Sequence, residues 1–178
     1  MASIVVGVTG SIAAYKSCEL VRLLVKTGHE VKVILTVAAT KFVTPLTFQT
    51  LSRNTVFVDQ FELPGEWKPE HISLADDADL LLIAPCTANV MARMTYGLAD
   101  DLLTATALAT RAPIVIAPAM NTGMWDNAAT QTNVKTLISR GVLFVDSDSG
   151  ELACGDYGKG RMAQPETIAR VVEQIVSQ

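Results

Sequence analysis

The 178-residue chain is poor in the residues from which most metal and hydrolytic sites are built, with two histidines and three cysteines. Cys18, Cys86 and Cys154 form no C-x-x-C pair and there is no H-E-x-x-H, so the usual zinc spacings are excluded. Three thiols cannot all pair with one another, which fits a reducing compartment. Serine-hydrolase and P-loop chemistry fall away with the absence of G-x-S-x-G and G-x-x-x-x-G-K-[ST]. In Asp-Ser-Asp-Ser-Gly-Glu over 146–151, glutamate stands where a calcium loop needs its turn glycine. Lys and Arg number 14 against 18 Asp and Glu and are scattered, leaving no basic stripe for a nucleic-acid backbone. No apolar run approaches the ~18 residues that cross a bilayer, and Met1 to Val6 carries no basic leader region, so a cytoplasmic protein is expected.

What is present is an apolar-rich chain, 49% hydrophobic and 18% charged, of a length that suits one domain. Ile4 to Val8 reads as a buried strand ending in Thr9-Gly10-Ser11. A helix from Ile12 follows, with Leu20, Leu23 and Leu24 at helical spacing, and stops at Thr27-Gly28. The unit recurs. Glu30 to Leu35 is a strand, Thr36 caps a short helix from Val37 to Phe42, and Pro45 opens another through Leu51. Further strands are expected at 79–84, 113–117 and 142–145, and helices at 100–110, 130–140 and 165–176. Continuous apolar strands alternating with helices predict a parallel sheet covered on both faces, a three-layer α/β domain with right-handed crossovers. Ligands of such sheets sit beyond the carboxyl ends of the strands, where Thr9-Gly10-Ser11, Thr36, Pro85 to Asn89 and Pro118 to Trp125 gather. The stretch 146–162 shows no periodicity and holds Gly150, Gly155, Gly158 and Gly160, which suggests a functional flap.

Gly7-Val8-Thr9-Gly10-Ser11-Ile12 between strand and helix is either an ordinary tight turn or a phosphate cradle at a helix N-terminus. The second strand ends Ile34-Leu35-Thr36 without the carboxylate that a nicotinamide dinucleotide site uses for ribose, so FMN fits better than NAD. His29, in the turn before a strand, reads as bland surface. His71 is either a helix-end or core histidine or the chain's one neutral-pH proton carrier. In Pro118-Ala119-Met120-Asn121-Thr122-Gly123-Met124-Trp125, Asn121 is either a helix cap or an amide that holds a carboxylate without adding charge. Cys18 reads as core filler, while Cys154, among glycines, reads as a reagent. Asp76, Asp77 and Asp79 read as a solvated cluster with no partner identifiable.

Gly7 to Lys16, His71, Ala84-Pro85-Cys86-Thr87-Ala88-Asn89, the PxMNxxMW run from Pro118, and Leu152-Ala153-Cys154-Gly155 with Gly158-Lys159-Gly160-Arg161-Met162 together resemble the FMN-dependent, homo-oligomeric cysteine decarboxylase flavoproteins. The resemblance spans nearly the whole chain. It implies a single Rossmann-like (flavodoxin-like) domain over 1–178 that decarboxylates 4'-phosphopantothenoylcysteine to 4'-phosphopantetheine in coenzyme A synthesis. The expected route passes through a thioaldehyde and an enethiolate, with FMN as electron sink. Gly10, Ser11, Ile12 and Thr36 would approach the flavin, and Thr87, Ala88 and Asn89 would hold its phosphate or ribityl chain. Ala119 and Met120 would line the isoalloxazine. His71, Asn121 and Cys154 would be catalytic: assisting thiol oxidation, binding the carboxylate and returning a proton. Met124 and Ala153 would shape the substrate pocket, and Lys159 or Arg161 would meet the substrate phosphate. Cys86, where many relatives carry alanine or serine, is taken as tolerated packing. The resemblance further implies a trimer, in which FMN lies across subunit contacts, or a dodecamer. It also implies a separate phosphopantothenoylcysteine synthase upstream, since the chain stops at Gln178.

Three other readings compete. An oxidative decarboxylase of peptides ending in cysteine stops at the enethiol and needs no proton donor such as Cys154. A non-catalytic FMN-binding regulatory subunit tends to carry acidic extensions absent here. A flavin prenyltransferase shares the fold without PxMNxxMW.

Overall fold

The computed structural model describes residues 1–61, 68–146, 148–151 and 157–177, with backbone alone at 148–151 and 157–158. Six parallel strands form the main sheet: β1 (Ser3–Val8), β2 (Glu30–Leu35), β3 (Val56–Phe57), β4 (Leu80–Cys86), β5 (Ile114–Pro118) and β6 (Leu143–Phe144). Their order is β3-β2-β1-β4-β5-β6, so the chain runs outward from β1 in one direction and from β4 in the other. The crevice of this doubly wound sheet therefore opens between the carboxyl ends of β1 and β4.

The helices are α1 (Ala14–Lys26), α2 (Pro45–Ser52), α3 (Glu70–Asp77), α4 (Ala88–Tyr96), α5 (Leu102–Ala109), α6 (Thr122–Asp126), α7 (Ala128–Ser139) and α8 (Pro165–Val176). Alternate strand residues feed two separate cores. Ile4, Val6, Val8, Val33, Leu35, Leu82 and Ala84 pack with Leu20 and Leu24 of α1, Phe48 of α2, and Ile168 and Val172 of α8. Val5, Ile34, Leu81, Ile83 and Ile116 face Leu74, Met91, Leu103 and Leu137 of α3, α4, α5 and α7. Burial on both faces explains the unbroken apolar strands, and the expected three-layer α/β fold is present. Gly7 has a packing reason: a Cβ there would lie within van der Waals overlap of the buried Leu103 side chain.

Local signals set most boundaries. Asp101 caps α5 in a reciprocal box with Thr104, and Asn127 caps α7 by accepting Ala129 N–H at 2.9 Å. Gly28, at φ +92°, ends α1 as expected. The helix expected over 37–42 is reduced to a 3-10 turn, Ala39–Lys41, because only three residues propagate before Pro45 starts α2. The stretch 146–162 is not structureless: β7 (Asp148–Glu151) and β8 (Tyr157–Arg161) pair antiparallel. Its glycine content hides the strand pair from periodicity.

One surface reading is corrected, and the exposed aspartate cluster gains partners. His29 has its side chain only 5% exposed. Its Nδ1 accepts Ala2 N–H at 3.2 Å, so Nε2 carries the proton and donates to Glu173 at 2.8 Å, tying β1, the β2 entry and α8 together. The aspartates before β4 are each engaged: Asp76 with Lys68, Asp77 with Lys32, and Asp79 accepting Ser3 N–H.

Candidate active site

At the carboxyl edge the β1 and β4 turns are knitted together. Thr9 Oγ1 donates to Pro85 O at 2.7 Å and accepts Thr87 N–H at 3.1 Å, and Ser17 Oγ donates to Ala84 O at 2.6 Å. On the β1 side, Gly10 lies so close to the β2 exit that a Cβ would fall 2.5 Å from the Ala38 Cβ. Thr36 shapes that exit: its N–H donates to Val8 O at 3.1 Å and its Oγ1 accepts Ala39 N–H at 3.2 Å. Ser11 is half-buried and Ile12 is 55% exposed, an apolar side chain left outside both cores.

On the β4 side, Thr87 caps α4 by accepting Val90 N–H at 3.4 Å. Ala88 and Asn89 open the helix, where backbone N–H groups have no carbonyl one turn earlier and the dipole favours an anion. Burial pushes the Cys86 thiol far up, so it stays protonated beneath this turn, consistent with packing rather than reactivity.

The PxMN segment leaves β5 beside this crevice. Ala119 is buried, its N–H donating to Cys86 O at 3.0 Å, and Met120 packs partly into the core that faces α4 and α5. Asn121 caps the short α6, its Oδ1 accepting Gly123 N–H at 2.7 Å. The cap reading of Asn121 is thereby met. Met124 is half exposed on the same helix.

The hairpin is seated on this segment. Gly160 O accepts Met120 N–H at 2.9 Å, and Lys159 O accepts Thr122 Oγ1–H at 2.9 Å. Lys159 joins Pro118, Trp125, Phe144, Val145 and Asp146 around a cavity of about 320 Å³. Arg161 is half-buried on β8. Gly10 to Ile12, Thr36 and Thr87 to Asn89, the residues expected to meet a flavin, thus share one edge with Ala119 to Met124 and with Lys159. His71 stands in the first turn of α3, which packs against α5 on the sheet face opposite α1. Cys154 and Ala153 lie outside the described residues. Sequence reasoning placed Thr9 at this edge without giving its hydroxyl a role, which shows only once its cross-strand partners Pro85 and Thr87 are known.

The sequence profile of the Flavoprotein family matches residues 1–177. The chain belongs to that family. Among its relatives, the coenzyme A biosynthesis bifunctional protein CoaBC of Haemophilus influenzae is 50% identical over 175 residues, 98% of this chain and 44% of that protein. The chain therefore spans about half the length of the curated relatives it matches. Among solved structures, a cysteine-to-serine mutant of PPC decarboxylase complexed with pantothenoylaminoethenethiol superposes with a TM-score of 0.88 at 30% identity, covering 99% of both chains. The FMN binding protein AtHal3 superposes at 0.85 with 32% identity, covering 99% of this chain and 98% of that one. Family membership and fold agree with the expected three-layer flavoprotein architecture.

Proposed function

We propose that the chain catalyses FMN-dependent decarboxylation of 4'-phosphopantothenoylcysteine to 4'-phosphopantetheine, a step toward coenzyme A. The observation that carries this reading is the seating of β8 on the PxMN segment. The bonds donated by the Met120 N–H and the Thr122 hydroxyl bring the strand that follows Cys154 alongside Asn121. Full-length likeness to a PPC decarboxylase bound to an enethiol compound supports the same chemistry.

FMN fits the residues present: the N-terminus of α4 suits a phosphate, and the exposed Ile12 and half-buried Met120 offer apolar surface for a planar ring. When bound, FMN supplies a reversible two-electron sink, which a cysteine carboxylate lacks. Asn121 orients the carboxylate without a competing negative charge, and Met124 limits the pocket around it. His71 accepts the substrate thiol proton, and Cys154 returns a proton to the product. Lys159 or Arg161 meets the substrate phosphate; Lys159, on the cavity wall with Trp125, is the better placed. Ile12, Tyr15, Val37 and Phe42, large apolar side chains exposed beside the crevice, support a homo-oligomer with flavin at subunit contacts. The reading covers the decarboxylase part that this chain shares with its longer relatives.

Mass spectrometry of the product from 4'-phosphopantothenoylcysteine tests the proposal. Loss of CO2 alone is the expected result. Loss of CO2 with two hydrogens would assign an oxidative decarboxylase instead, and unchanged substrate from a yellow, folded protein would assign a binding role. His71→Asn is expected to stay yellow, folded and inactive, and Cys154→Ser to release the enethiol.

A further inference from the structure

The two turns that frame the crevice are joined where regular sheet pairing gives out. β1 and β4 pair only as far as Gly7 and Ile83, and the β4–β5 register shifts between Ile83 and Cys86. The Ala84 and Pro85 carbonyls fall in that gap, and each is taken by a hydroxyl from the β1–α1 unit, Ser17 and Thr9 respectively. Thr9 does more than Ser17. Its side chain is fully buried, and its oxygen also receives the Thr87 N–H, so a single hydroxyl receives from one side of the β4 turn and donates to the other.

Thr87 N–H is thereby turned into the sheet. The next amides, those of Ala88 and Asn89, are the ones that open α4 beside the Gly10 turn. Gly10 follows Thr9 directly, so one residue sets both lips: its backbone leads into the first turn and its side chain holds the second.

We propose that Thr9 is a positioning residue for flavin phosphate binding, its hydroxyl fixing the Thr87–Asn89 turn against the Gly10–Ile12 turn without touching the flavin. This rests on the FMN reading above. Because the relay acts on the helix opening, loss of the hydroxyl weakens phosphate recognition selectively, whereas a general loss of packing would weaken every flavin alike.

The test compares FMN with riboflavin, which lacks the phosphate, by fluorescence titration of flavin-stripped protein, alongside thermal melting. Thr9→Val, nearly isosteric, is expected to weaken FMN about tenfold, ~1.4 kcal/mol, and to leave riboflavin unchanged, while Thr9→Ser stays within about twofold of wild type for both. Ser17→Ala removes a comparable buried bond outside the turn; it is expected to lower the melting temperature with FMN affinity unchanged. Should Thr9→Val fail to fold, Thr9→Cys, with a weaker donor, reads the same selectivity at smaller amplitude. Equal weakening of FMN and riboflavin, FMN affinity untouched in Thr9→Val, or Ser17→Ala matching it would each overturn the proposal. Wild-type protein that binds neither flavin would overturn the FMN reading, and this proposal with it.

Discussion

Gly160→Ala is the substitution whose effect the geometry constrains most tightly. Gly160 sits at φ +114°, where L side chains are rarely found, and a Cβ there would lie 2.5 Å from Met120 O. Neither group can retreat in place, since Gly160 O holds Met120 N–H at 2.9 Å and the preceding Lys159 O holds the Thr122 hydroxyl. The backbone strain alone is about 1–3 kcal/mol, before the overlap is counted. Undocking β8 forfeits two hydrogen bonds, together about 1–3 kcal/mol. The two costs are comparable and the overlap tips the balance, so the variant relieves itself by lifting β8 off the PxMN segment. The expected signature is local. Amide exchange at Met120 speeds up by about tenfold or more, as ~1.4 kcal/mol or more of protection is lost. The melting temperature falls by no more than about 2–4 °C per kcal/mol for a chain of this size. Activity on 4'-phosphopantothenoylcysteine drops together with the undocking of β8. Wild-type exchange at Met120 together with a wild-type melting temperature would refute the reasoning.

Two further outcomes concern the scaffold. Gly7→Ala is expected to destabilise by about 1–3 kcal/mol through overpacking against Leu103, and to cost markedly less in a Leu103→Ala background. A double-mutant cycle from chemical denaturation reads this, and strict additivity would sink it. The Glu173 carboxyl is held below its ordinary 4.5 chiefly by the Thr27 hydrogen bond and then by His29. A lowered folded-state value means stability that is fully present above pH 4.5 and lost as pH falls through the folded value. Glu173→Gln is therefore expected to flatten the fall in melting temperature below that pH, and parallel curves for the two proteins would show the carboxylate to be uninvolved.

Much of the candidate site's position was legible because its residues follow strands directly. Gly10, Thr36, Thr87 and Ala119 each stand at or just past the end of a buried apolar run, so recognising the run places the residue on the carboxyl edge without further knowledge. His29 shows the opposite case. Nothing in Thr27-Gly28-His29-Glu30 distinguishes an exposed turn histidine from one clasped by Glu173, which lies 144 residues away. β3, two residues long, was not legible either, being below the length at which periodicity speaks, and the five-residue α6 showed only through the reading of Asn121 as a cap.

By itself, then, the sequence determined the layers: the longer strands and helices, that both sheet faces are covered, and that the polar and glycine residues collect at one edge. Those properties follow from hydrophobic period, caps and glycine stops, which act over a few neighbouring residues. The tertiary structure alone decided which hydroxyls bridge β1 to β4, that the glycine-rich stretch pairs into a hairpin seated on Met120, and that His29 is structural. Each of these depends on a directional bond between segments far apart in the chain, 78 residues in the case of Thr9 and Thr87. Such a bond leaves no periodic trace in either segment, and it exists only once the hydrophobic cores have brought the two together.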